Sequence, residues 1–285
     1  MIRVGPAGWS YQDWEGIVYP IPKGSQFDPL AYLAEFFDTI ELNNTFYRSP
    51  TPQMAKSWAT RVRSNPRFKF TAKLNRLFTH ERQSATVDDE KAFKNGLTPL
   101  MENGVLGALL IQVPYSFHHN EENRGYLQEL AEKFREYPLV LEVRHSSWDR
   151  ASVYQFLRET RIGFGNIDQP QVSYSIGATK KVTGPVGYMR LHGRNAKEWF
   201  REEGDRNTRY DYLYNEFEIF ELVERIRPIA AEAEEMYVIT NNHYRGKAIC
   251  NAVEIKAKLG GKGVRVPELW LQHYPQLKEV QEEPP

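Results

Sequence analysis

Leu139-Val140-Leu141-Glu142-Val143-Arg144 is a short apolar run that ends on charged residues. Gly187-Tyr188-Met189-Arg190-Leu191-His192 has the same design. Runs of this kind alternate along the chain with longer segments whose apolar residues recur at three- and four-residue spacing. This pattern is typical of strands that alternate with amphipathic helices. The alternation predicts βαβ units and therefore a parallel sheet.

Eight such runs predict an α/β protein, specifically a (β/α)8 TIM-like barrel. Residues 1–278 are predicted to form the single barrel domain, and 279–285 a short acidic, proline-containing tail. The predicted strands are Ile2–Gly8, Thr39–Asn43, Phe68–Leu74, Gly107–Val113, Leu139–Arg144, Ile162–Asp168, Val186–His192 and Met236–Asn241.

The segments between the strands predict most of the helices. Asp149 is expected to cap one helix, and Pro228 to break or kink another. Little helical periodicity lies between Asp168 and Val186, so the sixth helix is expected to be missing or replaced by a loop. Asn195–Arg209 is a long, charged connection. The predicted helices are Phe27–Phe37, Gln53–Arg63, Asp88–Asn103, Arg124–Glu136, Asp149–Thr160, Asp211–Glu235 and Arg245–Leu259.

Composition is consistent with a globular chain and gives little electrostatic guidance. Lys plus Arg and Asp plus Glu both total 37 among 285 residues, so the formal net charge is zero and no overall field favours nucleic acid or a membrane. The single cysteine, Cys250, cannot form an internal disulfide, which favours a reducing, cytoplasmic compartment. No signal peptide is expected at the N-terminus, and no apolar run is long enough to span a membrane.

Polar residues recur at the carboxyl ends of the predicted strands. Side chains alternate between the faces of a strand, so polar residues two apart near its end point into the mouth of a barrel. Burying charges is costly unless they are paired, so this concentration favours a ligand or active site. The catalytic candidates are Glu41, Lys73, Glu142, Asp168 and His192, and the substrate-binding candidates are Trp9, Asn43, Asn44, Tyr47, Gln112, Arg144, Trp148, Arg190, Asn241 and His243.

These residue types suit an anionic substrate, either a phosphate ester or a carboxylate. Arginine favours bidentate contact with such groups, so Lys73, Arg144 and Arg190 are interpreted as anion clamps. Glu41 or Glu142 is interpreted as a general base, since a carboxylate near the substrate can accept its proton. His192 is interpreted as an acid or donor because histidine ordinarily titrates near neutral pH.

Other functions stay open. A basic stretch from Arg61 to Arg82, together with aromatic residues at the rim, is compatible with nucleic-acid binding or metal-assisted phosphodiester cleavage. A lysine inside a barrel could act in a lysine-dependent lyase if its pKa is lowered. A non-catalytic ligand-binding barrel is a fourth reading. A divalent metal is not favoured, because no His-x-x-x-His or cysteine pair organises the candidate ligands His118, His119, Glu41, Glu142, Asp168, His192 and His243.

The chain resembles domain-of-unknown-function family 72, also called the YecE-like family. The matching segments run in order along almost the whole chain: Val4–Ser10, Phe37–Tyr47, Phe68–Lys73, Leu109–Pro114, Glu142–Trp148, Tyr188–Gly193 and Asn241–His243. The resemblance implies a TIM-like barrel in a bacterial cytoplasmic protein, and it implies no activity. A looser likeness to apurinic-endonuclease and xylose-isomerase barrels would imply divalent metals, but Arg144 and Arg190 would oppose a multi-metal cluster.

Overall fold

The computed structural model describes residues 1–196 and 208–282, and eight parallel strands form its centre. Their order in the sheet is β1-β8-β7-β6-β5-β4-β3-β2, which confirms the predicted TIM-like barrel. The strands are β1 (Ile2–Pro6), β2 (Thr39–Leu42), β3 (Lys69–Lys73), β4 (Leu106–Gln112), β5 (Leu139–Glu142), β6 (Gly163–Asp168), β7 (Val186–Leu191) and β8 (Glu235–Thr240).

The barrel closes along a seam between β1 and β2. In the described chain, a single bridge joins these strands, with Ala7 opposite Glu41. The N–H of Gly8 donates to the carbonyl oxygen of Glu41 at 2.9 Å. The strands approach closely here, since a Cβ on Gly5 would lie 1.8 Å from the carbonyl oxygen of Thr39. Glycine at this position therefore permits the closure.

Helices surround the strands. Within the described residues these are α1 (Pro29–Ala34), α2 (Pro52–Arg61), α3 (Arg76–Thr79), α4 (Val87–Glu102), α5 (Glu121–Lys133), α6 (Ala151–Glu159), α7 (Glu216–Glu232), α8 (Lys247–Gly260) and α9 (Glu268–His273). None of these described helices has the length and apolar character needed to cross a membrane.

The connection between β6 and β7, residues 169–185, lies within the described part of the chain and contains no helix, as the sequence predicts. An irregular segment takes the place of the helix, and side chains fasten it to β6. The Oγ1 of Thr179 donates to the Oδ1 of Asn166 at 2.9 Å, and the Nδ2 of Asn166 donates to the carbonyl oxygen of Lys181 at 2.9 Å. Of the predicted charged connection Asn195–Arg209, residues 197–207 lie outside the described residues, as do residues 283–285 of the predicted tail.

The predicted roles of Pro228 and Asp149 differ from the structure. Pro228 lies inside a continuous α7, because the buried residues Ile226 and Ile229 on either side of it pack on the core and offset the lost hydrogen bond. This helix begins after Asn215, whose side chain accepts from the N–H of Glu218 in a capping box. Asp149 does not cap α6. Its Oδ1 accepts instead from the hydroxyl of Tyr154 at 2.6 Å.

Two short helices are absent from the predictions, α3 and α9. The four residues of α3 and the six of α9 are too few to show a helical period. The first is nevertheless important for the site, since it follows β3 directly and so lies at the mouth of the barrel.

The buried apolar residues of the described chain form two cores. The larger lies between the strands and the helices. The smaller fills the barrel interior and consists of Ala7, Ala108, Leu110, Val140, Val186, Tyr188, Tyr237 and Ile239. Beyond this smaller core, toward the carboxyl ends of the strands, the inward-facing residues of β2, β3, β5 and β7 are charged. They are Glu41, Lys73, Glu142 and Arg190, and they locate the candidate site at this end of the barrel.

Candidate functional site

A buried ion network forms the floor of the mouth. The Nη2 of Arg190 on β7 lies 2.7 Å from Glu41 on β2, and its Nη1 lies 2.7 Å from Glu142 on β5. Both carboxylates are fully buried, and Arg190 is 1% exposed. Burial alone would raise the pKa of Glu142, but the charges of Arg190 and Arg144 hold this pKa well below its usual range. Each carboxylate oxygen of Glu142 therefore lies against a guanidinium group, one of Arg144 and one of Arg190.

Tyr188 extends the floor toward β3. Its hydroxyl donates to the Oε2 of Glu41 at 2.9 Å and lies 2.9 Å from the Oγ1 of Thr71. Burial and the charge of Glu41 raise the pKa of this hydroxyl well above its usual value, so it remains protonated. Glu41 is thus held by both Tyr188 and Arg190.

Arg144 and His192 occupy the side of the floor nearest β5. The Nη2 of Arg144 lies 2.7 Å from Glu142, and its Nη1 donates to Gln169 at 2.8 Å. The Nε2 of His192 lies 3.2 Å from Arg144, and its Nδ1 lies 3.0 Å from the side-chain amide of Asn241. Burial and the charge of Arg144 lower the pKa of His192 to about 3, so the ring is neutral at pH 7 and does not titrate there.

Lys73 projects from the end of β3 above this floor. Its ammonium lies 4.6 Å from the centroid of the Phe46 ring. The lysine is partly buried, and among residues 1–196 and 208–282 no acceptor lies within hydrogen-bonding distance of its Nζ. Burial lowers the pKa of Lys73 to about 8, with the charge of Arg190 adding to the effect and Glu41 opposing it.

Thr45 holds the backbone that carries Lys73. This buried residue lies in a short 3-10 turn, Asn44–Phe46, directly after β2. Its Oγ1 lies 2.7 Å from the carbonyl oxygen of Lys73 and accepts from the Lys73 N–H at 3.1 Å. The turn therefore fixes Lys73 from two directions, through the hydroxyl of Thr45 and the ring of Phe46.

A cavity of about 500 Å³ opens above the floor. Three amides face it, and one of them, Gln112, accepts from the Nη1 of Arg190 at 3.1 Å and so links the cavity to the ion network. Among the described residues, those that line the cavity include no carboxylate. They are Tyr11, Asn43, Phe46, Tyr47, Lys73, Arg76, His80, Gln112, Tyr210, Asn241 and His243.

Aromatic rings form one wall of the cavity. His243 stacks on Tyr11 with ring centroids 4.5 Å apart, and Tyr210 lies on it at 4.9 Å. The indole N–H of Trp14 donates to the carbonyl oxygen of His243 at 2.7 Å. Burial lowers the pKa of His243 to about 4, so the ring of His243 is neutral at pH 7.

The structure brings together eleven of the fifteen predicted site residues. Five form the floor, and six line the cavity. The floor residues are Glu41, Glu142, Arg144, Arg190 and His192, and the cavity residues are Asn43, Tyr47, Lys73, Gln112, Asn241 and His243.

Asp168 was expected to point into the mouth and points instead to the outer layer. Its register partner on β7 is Leu191, whereas Arg190, which faces the interior, is paired with Ile167. Paired residues of neighbouring strands point to the same face. The side chain of Asp168 accordingly forms ion pairs with Arg194 at 2.9 Å and with Arg225 at 2.8 Å. Asn166 shares this orientation, and both belong to the packing of β6.

Three other predicted residues also lie apart from the cavity. Trp148 is fully buried, stacks on Phe117, and donates to its carbonyl oxygen at 2.6 Å. Trp9 packs edge-on against Trp58 with ring centroids 6.1 Å apart. Asn44 is exposed, and its carbonyl oxygen accepts from the N–H of Tyr47 in the turn that carries Thr45.

The predicted site residues do not include five of the cavity residues, Tyr11, Phe46, Arg76, His80 and Tyr210. Arg76 begins α3 and His80 follows its last residue, and this short helix starts three residues after β3 ends. For Arg76 and His80, the signal in the sequence was their proximity to the end of β3. Arg76 also forms an ion pair with Glu81 at the surface.

No group of three or more His, Cys, Asp or Glu side chains in the described part of the chain could hold a metal ion. The carboxylates of the floor contact guanidinium groups, which occupy the space a cation would need. The donor set of the floor therefore does not fit a divalent metal.

The fold and the site together define a TIM-like barrel with a buried ion network beneath a polar cavity at the carboxyl ends of its strands. Residues 3–276 match the family model described as protein of unknown function DUF72. The chain belongs to this family, which confirms the resemblance noted in the sequence.

Relatives of known structure share the fold over nearly the whole chain. A DUF72 family protein from Thermotoga maritima MSB8 is 35% identical, with a TM-score of 0.78 over 91% of this chain and 99% of that one. A DUF72 family protein from Enterococcus faecalis V583 is 29% identical, with a TM-score of 0.80 over 91% of this chain and 96% of that one. By sequence alone, the chain is also similar to the UPF0759 protein YunF of Bacillus subtilis (strain 168), with 28% identity over 270 residues, 90% of this chain and 93% of the relative.

Proposed function

We propose that the protein binds a small anion, a phosphate ester or a carboxylate, in the mouth cavity, with Lys73 as its counter-charge. The observation that carries this proposal is the ammonium of Lys73, which faces the cavity without an acceptor among the described residues. A partly buried ammonium without an acceptor is costly, so an anion that supplies one gains the corresponding stabilisation.

Charge balance supports an anion in preference to a neutral ligand. The two carboxylates of the floor, Glu41 and Glu142, are balanced by Arg190 and Arg144. His192 adds no charge at neutral pH because its pKa is about 3. Lys73 consequently leaves the centre of the site with an excess positive charge, and the amides around it supply further donors.

The same geometry bears on the predicted roles of the carboxylates. A carboxylate that two guanidinium groups hold in its ionised form is a weak base. The pKa of Glu142 is lowered in this way. Both carboxylate oxygens of Glu41 accept hydrogen bonds, one from Arg190 and one from Tyr188. We therefore assign these two residues to the positioning of Arg190 and place the contact with the ligand on Lys73.

Nucleic-acid binding has less support. The basic stretch from Arg61 to Arg82 does not form one surface, because Lys69 and Lys73 lie at opposite ends of β3. Lys69 pairs with Glu235, and Arg61 pairs with Asp28. The cations of this stretch are thus distributed over both ends of the barrel.

Calorimetric titration with inorganic phosphate and with succinate tests the proposal. The wild-type protein is expected to bind at least one of them, and Lys73→Ala to weaken binding roughly 10- to 100-fold, because a hydrogen bond to a charged group contributes about 1.5–3 kcal/mol. Lys73→Arg keeps the charge and should retain most of the affinity. The exposed Lys56→Ala on α2 is the matched control. Equal affinity in the wild type and Lys73→Ala, or no binding to the wild type, would overturn the proposal.

A further inference from the structure

We propose that Lys73 is a nucleophilic amine that forms an imine with a small anionic aldehyde or ketone held in the mouth cavity. This inference rests on the proposed function for the binding of the anion and adds a covalent step at the same site. It follows from the position of the Nζ, which faces the cavity, is held above Phe46, and has no acceptor in the described part of the chain.

Reactivity requires the neutral amine. An ordinary lysine, with a pKa near 10.4, is less than about 1% neutral at pH 8. Burial, together with the charge of Arg190, lowers the pKa of Lys73 to about 8. At that pH the amine is therefore neutral in roughly half of the protein molecules. An ion pair with a carboxylate would cancel this effect. Lys69, at the other end of the same strand, has such a partner in Glu235, whereas Lys73 has none among the described residues.

The amides around Lys73 suit a carbonyl compound that also carries an anionic group. The carbonyl oxygen of Gln112 accepts from Arg190 at 3.1 Å, which leaves its NH₂ as a donor for a ligand oxygen. Asn43 and Asn241 line the same cavity. The excess positive charge described above favours a carboxylate or phosphate on the ligand. The substrate class is therefore a 2-oxo acid or a phosphorylated aldehyde or ketone.

The step balances without an oxidant or reductant. The lone pair of the Nζ attacks the carbonyl carbon, and the π electron pair moves to the oxygen, which takes up a proton from solvent. The nitrogen then loses a proton to give a neutral carbinolamine. Protonation of the hydroxyl group and its departure as water leave a C=N bond whose nitrogen still carries one proton, the iminium ion, and loss of that proton to solvent gives the neutral imine. One amine and one carbonyl compound thus give one imine and one water with no net change in protons, and the protonated iminium form can withdraw electrons from a neighbouring bond of the substrate.

Reductive trapping tests the inference. The protein is incubated with pyruvate or glyoxylate, reduced with borohydride, and examined by intact mass and peptide mapping. We expect one adduct on the peptide that contains Lys73, formed faster as the pH rises through about 8. Lys73→Arg should give no adduct there, since a guanidinium does not lose its proton in this range. Lys56→Arg, which changes an exposed lysine, should behave as the wild type does.

The titrations with phosphate and succinate separate the two proposals, since neither compound has a reactive carbonyl group. Intact binding of these anions without any adduct would overturn the imine and leave anion binding in place. Adducts spread over many lysines, or unchanged in Lys73→Arg, would also overturn it. Loss of an adduct in Lys73→Arg that still binds phosphate would support both proposals.

Discussion

The ammonium of Lys73 lies 4.6 Å from the centroid of the Phe46 ring, so an aromatic residue in the turn after β2 supports the charge carried by β3. A cation over a ring is stabilised by about 0.5–1 kcal/mol at accessible sites. The ring also restricts the conformations open to the lysine.

Phe46→Leu should therefore weaken phosphate binding by about 2- to 5-fold, because the cation–π contribution and the fixed position of the amine are lost together. Calorimetry on the folded variant measures this change. Phe217→Leu, at a 69% exposed position on α7, serves as the control and should leave the affinity unchanged. An affinity equal to that of the wild type in Phe46→Leu would show that the ring does not support the lysine.

Arg190→Leu should destabilise the protein by roughly 3–5 kcal/mol, because it leaves Glu41 and Glu142 buried without their partner. Urea denaturation followed by circular dichroism measures the free energy of unfolding. Arg190→Lys, which can satisfy only part of the pair, should give a smaller loss and covers the case in which the leucine variant does not fold. The comparison is Arg135→Leu, which breaks a pair with Glu132 that is 75% and 72% exposed and should cost under about 1 kcal/mol. Similar losses in the two leucine variants would contradict the role assigned to the buried pair.

Stability should fall as the pH drops from about 6.5 toward 4.5. The pKa of His192 is about 3 in the folded protein, whereas an unfolded histidine takes up its proton near pH 6.5. Between these values the unfolded chain binds more protons, so the free energy of unfolding decreases by up to about 1.4 kcal/mol per pH unit for this residue. The lowered pKa of Glu142 adds its own loss only below about pH 4.5, where the unfolded carboxyl gains its proton.

Urea denaturation at several pH values measures this slope, which His192→Gln should make shallower. The exposed His273→Gln is the matched control. An identical slope in His192→Gln and the wild type would contradict the assignment of a neutral, buried ring.

Two glycines in helices should respond in opposite ways to alanine. A Cβ on Gly96 of α4 would lie 2.0 Å from the carbonyl oxygen of Pro50, just before α2, so Gly96→Ala should cost about 1–3 kcal/mol. For Gly125 of α5, no atom of the described residues lies within 4 Å of the Cβ position. Gly125→Ala should raise stability by roughly 0.5–1 kcal/mol through helix propensity. Thermal denaturation of both variants measures the difference, and a loss in Gly125→Ala would contradict it.

The strands and most of the site could be predicted because they depend on local pattern. Short apolar runs with polar ends identified all eight strands, and the absence of helical periodicity identified the missing sixth helix. Alternation placed Glu41, Glu142 and Arg190 correctly on the inner face.

The remaining features depend on relations between distant parts of the chain. Asp168 has the same kind of position at a strand end as His192, but its register with Leu191 turns it outward. Register is fixed by the neighbouring strand and cannot be read from one run alone. The continuity of α7 through Pro228 depends likewise on packing against the core. The lowered pKa of Lys73 depends on burial and on the proximity of Arg190, which lies on another strand.

The seam between β1 and β2 gives the buried ion pair of Arg190 and Glu41 a structural role. In the described chain these two strands meet at one bridge, whereas the other neighbouring strands pair over two or more residues. Glu41 lies at that bridge, and Arg190 ties it across the interior to β7 at 2.7 Å. The guanidinium thus adds a side-chain contact across the interior at the strand whose backbone pairing is weakest. Without Arg190, the seam would depend on its single bridge and on the hydrogen bond from Tyr188 to Glu41.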